Sequence, residues 1–194
     1  MAKTSTAGFF FRQNIYGLEH PAIQRYIIGN SSTISIGDAV RINNAGFLVR
    51  AAVGEAIAGV VNGIVDANGV NVFSPRASGT TGTTLTPDDT VAVSSTNQSD
   101  ATRNIKADVI IDPAGVCLFY NDNAGDLADT NRYQFADNDA DADQTANSFS
   151  DANGQWQLMV LDPDGDADAS KGLWRIAENQ FGIGIDTATA KVAA

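Results

Sequence analysis

Four aspartates stand at every second position, Asp162, Asp164, Asp166 and Asp168, with Gly165 among them. Carboxylates at that spacing can wrap one hard cation such as Ca2+, as positions 1, 3 and 5 of a calcium loop do. The full EF-hand pattern also needs Gly at position 6 and Glu at position 12. Ala167 and Leu173 stand there, and no helical pattern flanks the loop, so this is not an EF-hand. Asp137, Asp139, Asp141 and Asp143 repeat the spacing. Two readings stay open: solvated Asp turns, or a Ca2+ site at Asp162, Asp164, Asp166 and Asp168. Ca2+ is the one cofactor the sequence offers.

Nucleophilic catalysis finds less to work with. His20 is the only histidine, followed by Pro21, and nothing near it resembles a nucleophile elbow. Cys117 is the only cysteine and lies between Val116 and Leu118. An apolar strand is the setting of an inert buried thiol. One cysteine also forbids an intramolecular disulfide or a multi-Cys metal site. Carboxylate pairs are abundant, but twenty Asp produce pairs by chance. The expectation is a protein that is not an enzyme.

Partner contact has a better candidate. Phe9, Phe10, Phe11, Arg12, Tyr16 and Tyr26 combine aromatic residues with Arg, the types enriched at interface cores. Three adjacent Phe cannot share one face of a strand or helix. Residues 1–30 read as an N-terminal arm, whose aromatics reach either the chain's own core or a neighbouring molecule.

The elements that would position these residues are β. From residue 34 to 42 apolar and polar positions alternate; the Asn43–Gly46 turn and Phe47-Leu48-Val49 follow. A second hairpin is expected from Ile57 through the turn Asp66–Gly69 to Phe73, with Asn-Gly as the turn signal. A third joins Ile105–Ile111 to Val116–Tyr120 through Asp112-Pro113-Ala114-Gly115, which fits a type I turn. Residues 121–153 read as a long Asp/Asn-rich loop. Gln155–Leu161 and Leu173–Ile176 read as strands, and Asn179–Ile185 as a last one. Strands at this spacing, with turn clusters between them, indicate an all-β barrel or sandwich with long Asp-rich loops. The domain plan is an arm, 1–30, and a β domain, 31–194, whose acidic outer portion covers about 121–170.

Composition agrees. Of 194 residues 43% are apolar, enough for a real core. Twenty Asp against three Glu, with 18 Gly, oppose a helical protein. No run of about 18 apolar residues offers a transmembrane helix. The apolar patch near the N-terminus falls short of the roughly 7–15 residues of a secretory signal, so a cytosolic origin is expected. The net charge of −11 is uneven: residues 1–106 sum to +1 and residues 107–194 to −12. Such acid disfavours sequence-independent binding to nucleic acid.

The stretch SIGDAVRINNAGFLVRAAVGEAIAGVVNGIVDANG resembles the small β-barrel head-decoration, or capsid cement, proteins of tailed bacteriophages. Gly37-Asp38-Ala39-Val40 opens a strand, an Asn/Gly hairpin follows, and Gly54-x-x-Ile57-x-Gly59-Val60-Val61 forms the next strand. The resemblance covers residues 34–74 well, and 105–120 and 155–176 loosely. The long Asp-rich insert departs from the family. The resemblance implies a structural virion protein with no catalytic residues. It implies binding to the major capsid protein on the outside of the shell as a homo-oligomer, usually a trimer. The alternative is a secreted, calcium-dependent β adhesion or carbohydrate-binding module.

Overall fold

β-branched and aromatic runs broken by Gly, Asn and Asp turns give strands, not helices. The computed structural model describes residues 8–16, 20–66, 68–70, 91–93, 95–99, 104–122, 127–138, 146–161 and 170–181. Its strands are β1 (Phe10–Asn14), β2 (Ala22–Ile27), β3 (Thr33–Ile34), β4 (Ala39–Ile42), β5 (Leu48–Arg50), β6 (Gly59–Val65), β7 (Val91–Ala92), β8 (Lys106–Ile111), β9 (Cys117–Asp122), β10 (Phe135–Asn138), β11 (Ala146–Ser150), β12 (Trp156–Leu161) and β13 (Lys171–Ile176). One 3-10 turn, Asp129–Asn131, is the only helical element among the described residues.

Two antiparallel sheets carry the fold. One runs β1-β9-β13-β12-β10-β11 and the other β2-β8-β6-β4-β5; β3 and β7 form a short separate pair. The five-stranded sheet curls towards a barrel. Ile28, just past β2, bridges Leu48 of β5, and the Gly29 N–H donates to Leu48 O at 2.7 Å. That curl encloses Ile28, Ile34, Val40, Leu48, Val61, Ile64, Val93, Ala107 and Val109. The other face of the same strands turns Ala39, Val60 and Ile110 towards Phe9, Phe119, Trp156, Leu158, Trp174 and Ile176 of the six-stranded side. Strands β4, β6 and β8 therefore bury adjacent residues on opposite faces, Ala39 and Val40, Val60 and Val61, Val109 and Ile110, which is why β6 opens without alternation, although Asn62 further along it is exposed. Gly59 is required there: a Cβ would lie 2.1 Å from Ile110 O.

Four expectations change. The turn Asp112–Gly115 forms, with the Gly115 N–H donating to Asp112 O. Its flanking strands are nevertheless not a hairpin, because β8 pairs β2 and β6 while β9 pairs β1 and β13. The turn is a corner between the sheets, held by the Asp112 carboxylate, which accepts the N–H groups of Val116 and Cys117.

The strand expected over 34–42 breaks at Gly37, whose φ of 90° no β-branched residue tolerates. Gly37 O accepts the Phe9 N–H and Gly37 N–H donates to Val61 O, so the break ties β1 to β6.

The loop expected over 121–153 contains β10 and β11, because Phe135, Ala136 and Ala146 are buried and Phe149 packs on the core. The described part of the expected arm is two integral strands. β1 pairs β9 from Phe10↔Tyr120 to Asn14↔Cys117, and β2 pairs β8 from Ala22↔Ile111 to Ile27↔Lys106. The turn Asp66–Val70 closes as expected, the Asp66 N–H donating to Val70 O; its onward strand to Phe73 lies outside the described residues.

Candidate partner-binding surface

Period-2 geometry separates the three phenylalanines, and all three find neighbours within this chain. Phe9 is fully buried and stacks on Trp156, ring centroids 3.8 Å apart and planes 9° from parallel. Phe11 meets Phe119 edge-on at 6.2 Å. Phe10 is half-buried and its ring reaches Gly37. Tyr26 is half-buried against the barrel core, and burial pushes its phenol up. Phe9 thus leaves the set of partner-contact candidates: a side chain without exposed surface touches no partner.

Arg12 and Tyr16 remain at the surface. Arg12 is the extra residue of a bulge, since Phe11 pairs Phe119 and Gln13 pairs the next residue, Leu118. Past it, the chain turns the corner from one sheet to the other. Ile15 donates its N–H to Val116 O, and Tyr16 donates its own to the Asn14 side chain. The backbone is therefore fixed while Ile15 (44% exposed) and Tyr16 (73% exposed) project outward. Ile23 on β2 is also exposed, at 52%. Ile15 and Ile23 were not among the sequence candidates, because nothing in sequence marks an isoleucine as outward-facing.

Asp162, Asp164, Asp166 and Asp168 lie outside the described residues, as do Asp139, Asp141 and Asp143. Among the described residues no group of three or more acidic, His or Cys side chains could hold a metal. Asp137 instead accepts the backbone N–H of Gln155. Cys117 is buried, and burial with the neighbouring Asp112 charge pushes its thiol up to about 12. It stays protonated at any physiological pH, so it is a poor nucleophile.

The polar residues inside the fold do structural work. Gln155 is fully buried; its amide donates to Ala52 O at 2.8 Å and to Glu55 O, and its oxygen accepts the Asn138 N–H at 2.8 Å. The Asn138 side chain in turn accepts the Trp156 indole N–H at 2.6 Å. Asn97 likewise spans two strand ends, donating to Ile28 O and Ile105 O and accepting the Ile105 N–H. Neither was visible as a tie in sequence, since both sit in polar surroundings. Gln155→Ala leaves three backbone groups without their partner. The expected loss is about 2 kcal/mol in a urea titration, from unmade hydrogen bonds alone.

The fold and surface define an all-β protein of two antiparallel sheets with an outward apolar corner at the β1–β2 crossing. No family model matches the chain, and neither a curated protein nor a solved structure matches it.

Proposed function

We propose that this is a bacteriophage capsid decoration protein, which binds the outside of the assembled head and stabilises it by bridging capsid subunits. The observation that carries the reading is the pinned corner projecting Ile15 and Tyr16, with Arg12 beside it. A fixed backbone bearing exposed aromatic and aliphatic side chains binds with little ordering cost. The corner belongs to the least acidic part of the chain: residues 1–30 hold three bases and one acid, a net of +2. The half with net charge −12 would be repelled by packaged DNA and suits the solvent side of a shell. Binding the assembled shell and not its free subunits stabilises it by mass action, and several linked contacts add avidity.

The test adds purified protein to expanded heads of the encoding phage assembled without it, and measures co-sedimentation. Wild type binds, and the double variant Ile15→Ser, Tyr16→Ala binds about tenfold more weakly with an unchanged melting curve. Absence of wild-type binding sinks the reading, and undiminished binding of the variant sinks the corner as the contact. The alternative, a calcium-dependent adhesion or carbohydrate-binding module, instead requires millimolar Ca2+ to raise the melting temperature over that in chelator.

A further inference from the structure

The outer edge of β2 differs from that of β1. Edge strands are usually blunted by bulges, charges or proline, because their free N–H and C=O groups template further pairing. β1 has its bulge at Arg12. β2 runs from Ala22 to Ile27 against β8 with no register shift. Its one charge, Arg25, is held sideways by Asp108 through two hydrogen bonds of 2.6 and 2.8 Å, which also raises the guanidinium pKa. Residues Ala22 to Arg25 are all exposed, and Ile23 is among them.

The direction of the free groups follows from the ladder. Ile28 donates its N–H to Ile105 O, so Tyr26, Gln24 and Ala22 also turn their backbone groups to β8. Ile23 and Arg25 then present theirs to the open side. Among the described residues no strand pairs with that side of Ala22–Tyr26; β5 reaches the chain only at Ile28 and Gly29.

We propose that this edge pairs with the same edge of a second copy, antiparallel, about a two-fold axis through Gln24. The register is chosen by the residues. An axis through Arg25 sets two like charges directly opposite, which is destabilising, and runs into the end already closed by β5. An axis through Ile23 places Pro21, which has no N–H, in a hydrogen-bonding slot opposite Arg25. An axis through Gln24 avoids the like-charge pair and leaves Pro21 beyond the five central pairs, at the end of the ladder opposite Ile27. It puts Ile23 opposite Arg25 of the second copy, where both carry free backbone groups, so the two strands exchange hydrogen bonds on either side of the axis. Gln24 faces its own copy as a non-hydrogen-bonded pair, amide to amide. Ala22 meets Tyr26. The edge lies in the stretch of net charge +2, the part of this anionic chain where two copies repel least. A pair built this way has two-fold symmetry, unlike the three-fold association that the family resemblance implies.

The experiment uses the full chain without capsids, so its outcome is separate from head binding. Sedimentation equilibrium should give twice the chain mass of 20.3 kDa, and Ile23→Lys should return it to the monomer at the same concentration. Gln24→Cys should form a disulfide-linked dimer on mild oxidation, because non-hydrogen-bonded antiparallel partners place Cα atoms about 4.5 Å apart, within disulfide reach. Ile23→Cys, opposite Arg25 in this register, should crosslink at least tenfold more slowly. A monomeric or trimeric wild type, or equal crosslinking of the two cysteine variants, overturns the proposal.

Discussion

Phe9→Ala should cost about 3–5 kcal/mol and lower the melting temperature by about 10 °C. The ring is fully buried, stacked on Trp156, and Trp156 itself meets Phe119 edge-on at 5.8 Å. Truncation therefore removes the burial of a whole phenyl ring and its stacking, and leaves a cavity that rigid aromatic neighbours cannot fill. A domain with a total stability of about 5–15 kcal/mol loses a large fraction of it. Urea unfolding followed by tryptophan fluorescence measures the loss. Tyr16→Ala, removing a ring that is mostly in solvent, should change stability by less than about 0.5 kcal/mol. A Phe9→Ala cost below about 1 kcal/mol would refute the stacked core. The same geometry rules out a truncation test of partner binding. Deleting residues 1–16 removes Phe9 and all of β1, and it strips the pairing partner from β9, so lost binding would report lost structure.

Much of the β architecture could be read from local chemistry. β4 and β5 follow from alternation around the Asn43–Gly46 turn, and β12 and β13 from short apolar runs between Asp-rich segments. What local chemistry does not encode is which ladder a strand joins. Asp112-Pro113-Ala114-Gly115 makes its turn as expected, yet β2 and β6 occupy both edges of β8, so β9 has to pair elsewhere. β10 and β11 were hidden by acid density: Asp137 and Asn138 look like loop residues until Gln155 and Trp156 supply their hydrogen-bond partners. The FFF run was legible as aromatic capital for packing or binding. Whether it packed within the chain depended on Trp156 and Phe119, over a hundred residues away.

Asp38 gives the second large effect, and its sign is the reverse of the usual carboxylate. The residue is 4% exposed, and burial pushes its pKa up from 3.8 to about 6, against the opposing pull of Arg50 at 3.6 Å and the Ser35 N–H at 2.8 Å. Between about pH 4 and pH 6 the folded protein holds a proton on Asp38 that the unfolded chain has released. Stability then falls as pH rises through that window, because the unfolded state binds fewer protons. A shift of about two units corresponds to about 3 kcal/mol, fully lost above pH 6. Asp38→Asn keeps an oxygen for the Ser35 N–H and removes the titration. The difference in unfolding free energy, wild type minus variant, should fall by about 3 kcal/mol between pH 4 and pH 7. Taking the difference cancels the other carboxylates, such as Glu55, whose pKa is lowered by the Ala52 N–H and Arg41 despite burial, and which therefore contributes the opposite slope. A flat difference curve would mean that Arg50 and Ser35 fully offset the burial. The position matters for the fold because Asp38 O accepts the Val61 N–H beside the Gly37 tie to Phe9. The charge strained at neutral pH sits where β1 is fastened to the barrel, so any acid-induced tightening should appear first as slower hydrogen exchange at Phe9 and Val61.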